Sequence, residues 1–155
     1  MARPSIELLR SLFRYDDFTG ILVDCLGVEV GYTDKRNYRV VKIDGRKLYA
    51  HTVIWAIKTG QYPKCTLDHK DLNGLNNRWL NLREANQGQQ QANRRLFKNN
   101  KTGHRGVYMD HGRFRAMVRF DKKTYHLGSF DTAEQAAEVV QAAREKRWAE
   151  FARAA

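Results

Sequence analysis

The stretch Leu67-Asp68-His69-Lys70-Asp71-Leu72-Asn73-Gly74-Leu75-Asn76-Asn77-Arg78-Trp79-Leu80-Asn81-Leu82-Arg83 decides how this chain is read. It has no helical period. Residues 64–86 as a whole are rich in Asn, Asp and Gly, and so long an irregular run inside a compact domain is uncommon unless it serves a function. Asn76-Asn77 reads as turn chemistry. Trp79 reads as a loop anchor filling a small core rather than a platform for stacking. Asp68 next to His69, with Asn81-Leu82 beginning twelve residues after the histidine, is the unusual feature.

On the N-terminal side, Ser5 caps a predicted helix over 5–14 whose Ile6, Leu9 and Phe13 share a face. Asp16-Asp17-Phe18-Thr19-Gly20 is a turn. Two strand patterns, 38–43 and 47–50, flank Asp44-Gly45, a hairpin signal. A helix over 51–59 follows, with Gly60 as its stop and Pro63 beyond. His51 opens that helix; it either reaches the cleft, or caps the helix or packs beneath it, and the structural role is the commoner one. On the C-terminal side, residues 87–97 predict a polar helix and 98–105 a linker. Three strands, 106–109, 113–120 and 124–128, then precede a helix over 132–151, with Asp131 and Glu134 spaced as a capping box.

Carboxylate, imidazole and amide at this spacing suit cleavage of a phosphodiester with one metal ion. A carboxylate holds a hard cation through oxygen, which polarises the phosphate and stabilises the departing oxygen. A neutral imidazole takes a proton from the attacking water near neutral pH. The segment resembles the HNH endonuclease family, in particular the phage and intron-encoded homing type. Leu12-Phe13-Arg14-Tyr15-Asp16 with Thr19-Gly20, residues 51–63, and Asn81-Leu82-Arg83-Glu84-Ala85 extend the likeness over most of 8–130. The resemblance implies Asp68 as a metal ligand, His69 as the general base and Asn81 as the brace of loop and histidine. It places the last metal ligand at Gln90, where the family carries Asn or His. Asn93, three residues on and on the same helical face, is the alternative.

The chain carries a formal net charge of +11 over 155 residues, which predicts attraction to polyanions. Residues 92–130 hold ten Lys/Arg against two Asp, a surplus of +8. In 113–120, Arg113, Arg115, Met117 and Arg119 alternate with Phe114, Ala116, Val118 and Phe120, predicting a strand with one basic and one apolar face. The apolar face is expected on the last helix at Ala136, Val140 and Ala143. Three arginines along one sheet face repel unless a polyanion neutralises them. Gly106-Val107-Tyr108, Arg113-Phe114-Arg115-Ala116 and the run from Leu127 to Ala137 resemble the plant ethylene-response-factor (APETALA-type) DNA-binding domain. That resemblance implies DNA contacts at Arg105, Arg113, Arg115 and Arg119. Lys122 joins them, with Arg94, Arg95, Lys98 and Lys101 tracking phosphates or serving as a tether.

The expected fold class is α+β: a ββα-metal HNH nuclease domain over 1–97, with its core motif in 64–97, a linker over 98–103, and a small three-stranded antiparallel sheet packed on one helix over 104–155. The expected activity is DNA endonuclease hydrolysis to 5′-phosphate and 3′-hydroxyl ends with one divalent metal ion, Mg²⁺ or Mn²⁺, on double-stranded DNA, by a monomer or a dimer. The rivals are a non-catalytic DNA-binding regulator with a degenerate nuclease fold and an RNA-binding or RNA-cleaving protein. No apolar run reaches the length of a membrane-spanning helix. Cys25 and Cys65 are isolated, and the N-terminal residues lack the apolar region of a secretory signal. The expected setting is intracellular, the host cytoplasm if the chain is phage-encoded.

Overall fold

A computed structural model describes residues 3–94, 96 and 99–149. The chain is a mixed helix and sheet protein, and it divides into two compact units between Ala85 and Asn86.

The first unit opens with α1 (Ile6–Leu12), capped as expected: Ser5 Oγ accepts from the Leu8 N–H at 3.2 Å, and Leu9 is fully buried. Strands β1 (Arg14–Asp16) and β2 (Ile21–Val23) pair antiparallel. Their turn is drawn tight by the Asp16 carboxylate, which accepts from the Phe18 N–H and the Thr19 hydroxyl. Strands β3 (Tyr32–Thr33), β4 (Arg39–Ile43) and β5 (Arg46–Tyr49) form a second sheet in the order β3-β4-β5. Asp44 and Gly45 take φ 50° and 75°, the two left-handed positions of a two-residue hairpin turn. The chain passes directly into α2 (Ala50–Thr59), which Gly60 closes in the left-handed region at φ 75°. Val41 and Ile43 of β4, with Leu9, Leu22, Val53, Ile54 and Leu82, make the core; alternation along β4 turns Val40 and Lys42 to the opposite face.

Residues 64–86, read from the sequence as irregular, contain a β-hairpin. β6 (Thr66–His69) pairs antiparallel with β7 (Leu82–Ala85), setting Asp68 opposite Arg83 and His69 opposite Leu82. A single 3-10 turn, Trp79–Asn81, leads into β7. The pairing spans a long loop and its strands carry Asp, His, Arg and Glu, residues that give no strand signal of their own.

The second unit contains α3 (Gln87–Ala92), strands β8 (Val107–Asp110), β9 (Arg113–Phe120) and β10 (Lys123–Phe130) in the order β10-β9-β8, and α4 (Ala133–Trp148). The helix predicted over 87–97 ends at Ala92. Asn86 and Gln89 form a full capping box at its start. At its end, Arg144 Nη2 donates to the Ala92 carbonyl at 2.7 Å, and Arg105 donates to the carbonyls of Gln91, Ala92 and Arg94. These bonds tie α3 to the second unit, so the division falls before the helix rather than at the expected linker. Of that linker, Asn100 and Thr102 bond to the His104 carbonyl and Thr102 to that of Val107, a closed turn rather than a tether. Burial pushes the Arg144 guanidinium down to about 10, with the Arg105 charge adding to the effect.

The last helix begins one residue later than its capping box predicts. Thr132 Oγ1, not Asp131, accepts from the Gln135 N–H, and Asp131 turns to Arg113 instead. Ala136 and Val140 pack on Val107, Ala116 and Val118, with Ala143 at the margin. Gly106 sits at φ 73°, and a Cβ there would lie 2.4 Å from the Met117 carbonyl oxygen and 2.9 Å from Val140. Gly106→Ala is therefore expected to destabilise the protein by about 2 kcal/mol or more; urea unfolding of the two forms measures it.

Candidate active site

The site is built on the β6–β7 hairpin and the loop it closes. Asn81 organises that loop. Its amide nitrogen donates to Asp71 Oδ1 at 2.9 Å and to the Asn76 carbonyl at 2.7 Å. Its side-chain oxygen accepts from the Asp71 N–H at 3.0 Å, and its carbonyl from the Lys70 N–H at 2.9 Å. Asp71 also accepts from the Asn73 N–H and the Asn76 amide. Burial pushes its carboxyl up, but these hydrogen bonds and the charge of His69 outweigh burial and leave it below the usual carboxylate range.

The contact on the imidazole comes from Asn77. His69 is 5% exposed and Asn77 3%, and His69 Nε2 lies 2.9 Å from Asn77 Oδ1. An amide oxygen only accepts, so the ring carries its proton on Nε2 and Nδ1 is the basic nitrogen. The Asn77 backbone is fixed in turn: its carbonyl accepts from the Tyr15 hydroxyl at 3.1 Å. Burial, the largest influence on Tyr15, raises its phenol, so that it stays a donor. Gly20, at φ 80°, allows the β1–β2 turn to close on this loop, since a Cβ there would lie 2.6 Å from Arg78 N. Arg78 Nε donates to the Phe18 carbonyl at 2.8 Å. The Tyr15-Asp16 and Thr19-Gly20 pattern near the N-terminus therefore buttresses the residue that holds the histidine. Asn77 was read from the sequence as a turn residue; its pairing with His69 is non-local to any pattern of spacing.

Asp68 lies on β6 with its side chain 11% exposed, and Arg83 Nε donates to its Oδ2 at 3.1 Å. The partner was legible only once the hairpin register is known, because Asp68 and Arg83 are directly opposed. His51 packs beneath the site, the structural alternative for this residue. Its ring meets His69 edge to face at 5.1 Å between centroids and stacks on Tyr49 at 5.2 Å, while Tyr38 contacts all three rings. His51 is 8% exposed and its Nδ1 is buried without a hydrogen-bond partner among the described residues. Burial, then the charge of His69, pushes its imidazole down to about 3. Trp79 anchors the loop on α2 by its ring contact with Trp55 at 5.0 Å.

Gln90 is half-buried on α3, and Asn93 is the buried C-terminal cap of that six-residue helix. Both belong to the second unit. Among the described residues no group of three His, Cys, Asp or Glu converges to hold an ion. In the first unit Asp68 supplies a carboxylate, whereas Asp71 is committed to the loop's own amides. The Asp68 carboxylate is a hard oxygen donor, the type of group that holds a divalent cation.

In the second unit the basic face is present on the sheet. Arg113, Arg115 and Arg119 are exposed on β9 with Tyr108 opposite Arg115. Lys122 is exposed in the turn before β10, one residue earlier than the sequence suggests, with Asp121 and Lys122 at φ 46° and 66°. The expected repulsion is relieved within the chain: Arg113 pairs with Asp131 at 3.0 Å and Arg115 with Asp110 at 2.7 Å. Arg105, read from the sequence as a DNA contact, directs its guanidinium to the end of α3. Arg94 is exposed; Arg95 and Lys98 lie outside the described residues.

This geometry has a counterpart among known families. Residues 48–92 match the family model described as HNH endonuclease. The match runs from the end of β5 through α2, the β6–β7 hairpin and α3. It supports a nuclease of the HNH type. No match to the chain was found among curated proteins or solved structures.

The environment of His51 sets a pH dependence on stability. Its folded value lies near 3, below the unfolded value of about 6.5. Between these values the unfolded chain binds the proton and the folded chain does not. Stability is therefore full above pH ~7 and falls as pH drops, at up to about 1.4 kcal/mol per pH unit. His51→Phe is expected to flatten this slope between pH 6.5 and 4, measured by urea unfolding across pH. The lowered carboxylates of Glu7, Asp16 and Asp71 add their own loss only from about pH 5 downward, and equally in both forms. In the same site Asn77→Ala should cost about 1–3 kcal/mol, because it leaves a buried imidazole N–H without its acceptor.

Proposed function

We propose that the protein is a metal-dependent DNA endonuclease of the homing HNH type, hydrolysing phosphodiester bonds to 5′-phosphate and 3′-hydroxyl ends. The observation that carries this reading is the buried His69–Asn77 pair beside Asp68, inside the segment that matches the HNH endonuclease model. Asn77 holds the His69 ring with Nε2 protonated, so Nδ1 takes the proton from the attacking water. Asn81 keeps the loop closed through Asp71 and Asn76. Asp68, steadied by Arg83, would offer carboxylate oxygen to one divalent ion, Mg²⁺ or Mn²⁺; the family resemblance assigns the remaining amide ligand to Gln90, or to Asn93 in its place. When bound, such an ion supplies Lewis-acid stabilisation of charge on the phosphate and the leaving oxygen.

The basic β9 face supports a second role for the C-terminal unit, as an ethylene-response-factor-like module that sets position on double-stranded DNA. Arg113, Arg115, Arg119 and Lys122 are the residues with which such a sheet would read bases and phosphates in the major groove. Asp110 and Asp131 hold Arg115 and Arg113 extended until bound DNA replaces them.

A plasmid-nicking assay with Mg²⁺ tests the reaction. The wild-type chain should cleave, and His69→Ala and Asp68→Ala should each lose activity by at least about a hundredfold, as general-base and metal-ligand losses do. DNA binding without any cleavage would instead favour the non-catalytic regulator, and preference for RNA over duplex DNA the RNA-directed alternative. Because the ion gains few ligands from the chain, EDTA should stop cleavage and leave the melting temperature unchanged. Arg115→Gln should weaken binding by ~1–3 kcal/mol and relax preference at one base position; equal weakening on all sequences would argue against base reading by the sheet.

A further inference from the structure

The outer face of the β3-β4-β5 sheet carries an arrangement that the hydrolytic reading does not use. Tyr32 on β3, Val40 on β4 and Tyr49 on β5 form one cross-strand row, since Tyr32 is opposite Val40 and Val40 opposite Tyr49. The two tyrosines stand two strands apart, about 9–10 Å between backbones, with buried Val40 as the floor between them. Each tyrosine is 38% exposed. They border a groove of about 520 Å³ that Lys35, Arg36 and Lys47 also line, a size suited to one small ligand or ligand part.

The charge around this groove is unbalanced. Lys42 and Lys47 are directly opposite on β4 and β5, a like-charged cross-strand pair that destabilises a sheet unless an anion offsets it. Both point to the tyrosine face, and Lys42 Nζ lies 5.8 Å from the Tyr32 ring centroid. Among the described residues, Lys35, Arg36, Lys42 and Lys47 make no ion pair. The acid lining the groove, Asp34, directs its Oδ1 to the backbone N–H groups of Arg36 and Tyr38, 2.9 Å each. Aromatic faces with cations beside them, and little competing acid, are the chemistry that holds a nucleobase and its phosphates. The groove is also joined to the candidate active site: Tyr49 stacks on His51, and His51 meets His69.

We infer that the Tyr32–Tyr49 groove captures an unstacked nucleobase of the DNA strand, with Lys42 and Lys47 on its flanking phosphates. The inference rests on the nuclease reading for its ligand, and it adds a base-capture subsite to that site. A base stacked on Tyr49 here is three ring contacts from His69, through Tyr49 and His51, and its capture holds the strand near the imidazole. Removing a base from a duplex costs least where it is already unpaired, and the groove accordingly favours a mismatch, gap or single-stranded step over continuous duplex.

The test uses the full chain carrying His69→Ala, in EDTA, so that binding is read without cleavage. The probe is a short DNA duplex with one 2-aminopurine opposite an abasic site, compared with the same duplex fully paired. The unpaired probe should bind more tightly, with its fluorescence quenched by stacking. Tyr32→Leu should weaken that binding roughly five- to 150-fold and abolish the quench. Tyr32→Phe, which keeps the ring, should retain both. Lys42→Gln combined with Lys47→Gln should reduce the salt slope of binding by about two and keep the quench at saturation. Equal binding of paired and unpaired probes, or a Tyr32→Leu protein with unchanged affinity and quench, overturns the inference. Cleavage of intact duplex by the wild-type chain with Mg²⁺ is scored separately. Base capture without cleavage defeats only the nuclease reading, and cleavage without base capture defeats only this inference.

Discussion

The pairing of β6 with β7 is the constraint on which the candidate site depends. It brings together two strands separated by a long loop and so places Asp68 opposite Arg83 and begins the loop at His69. A hairpin closed over so many residues loses more chain entropy than a tight turn. The hydrogen bonds of Asn81, Asp71 and Asn76 offset that cost by making the loop a fixed object. Without them neither the carboxylate nor the imidazole would hold its position to the tolerance that proton transfer requires.

Holding the imidazole is then a matter of tertiary contact. Asn77 Oδ1 accepts the hydrogen bond from Nε2–H, and its own position derives from Tyr15 and from the close approach that Gly20 permits. The N-terminal hairpin is thereby part of the site although it offers no reactive group. His51 and Tyr38 complete the packing around the ring. A neutral His51 carries no charge penalty at neutral pH and becomes a liability in acid, where burial and the His69 charge oppose its protonation. The site is thus packed with rings beneath and polar in its loop, and burial strengthens each electrostatic contact within it.

The two units divide the labour of charge differently. In the second, Arg105 and Arg144 end α3, and two of the β9 arginines are paired with aspartates, so part of the +8 surplus serves the fold. In the first, among the described residues, a smaller set of cations around Tyr32 and Tyr49 makes no ion pair with an acid. Net charge indicated a polyanionic partner; which cations remain available to it is decided by local pairing.

Much was legible in the residues alone. The Ser5 cap, the Asp44-Gly45 hairpin, the Gly60 stop and the two-faced strand 113–120 are local patterns, and they form where their spacing places them. Asp68, His69 and Asn81 stood out because carboxylate, imidazole and amide sit at a spacing that the HNH resemblance explains. The β6–β7 hairpin did not, because its strands are polar and their partners distant. The polar helix ends at Ala92, where arginines far along the chain take its last carbonyls. Asn77 as the partner of His69, Arg83 as that of Asp68, and the Tyr32–Tyr49 row all follow from register and close approach. Local chemistry is written in neighbouring residues, whereas the pairing of distant polar groups is settled only when burial leaves each of them a single partner within reach.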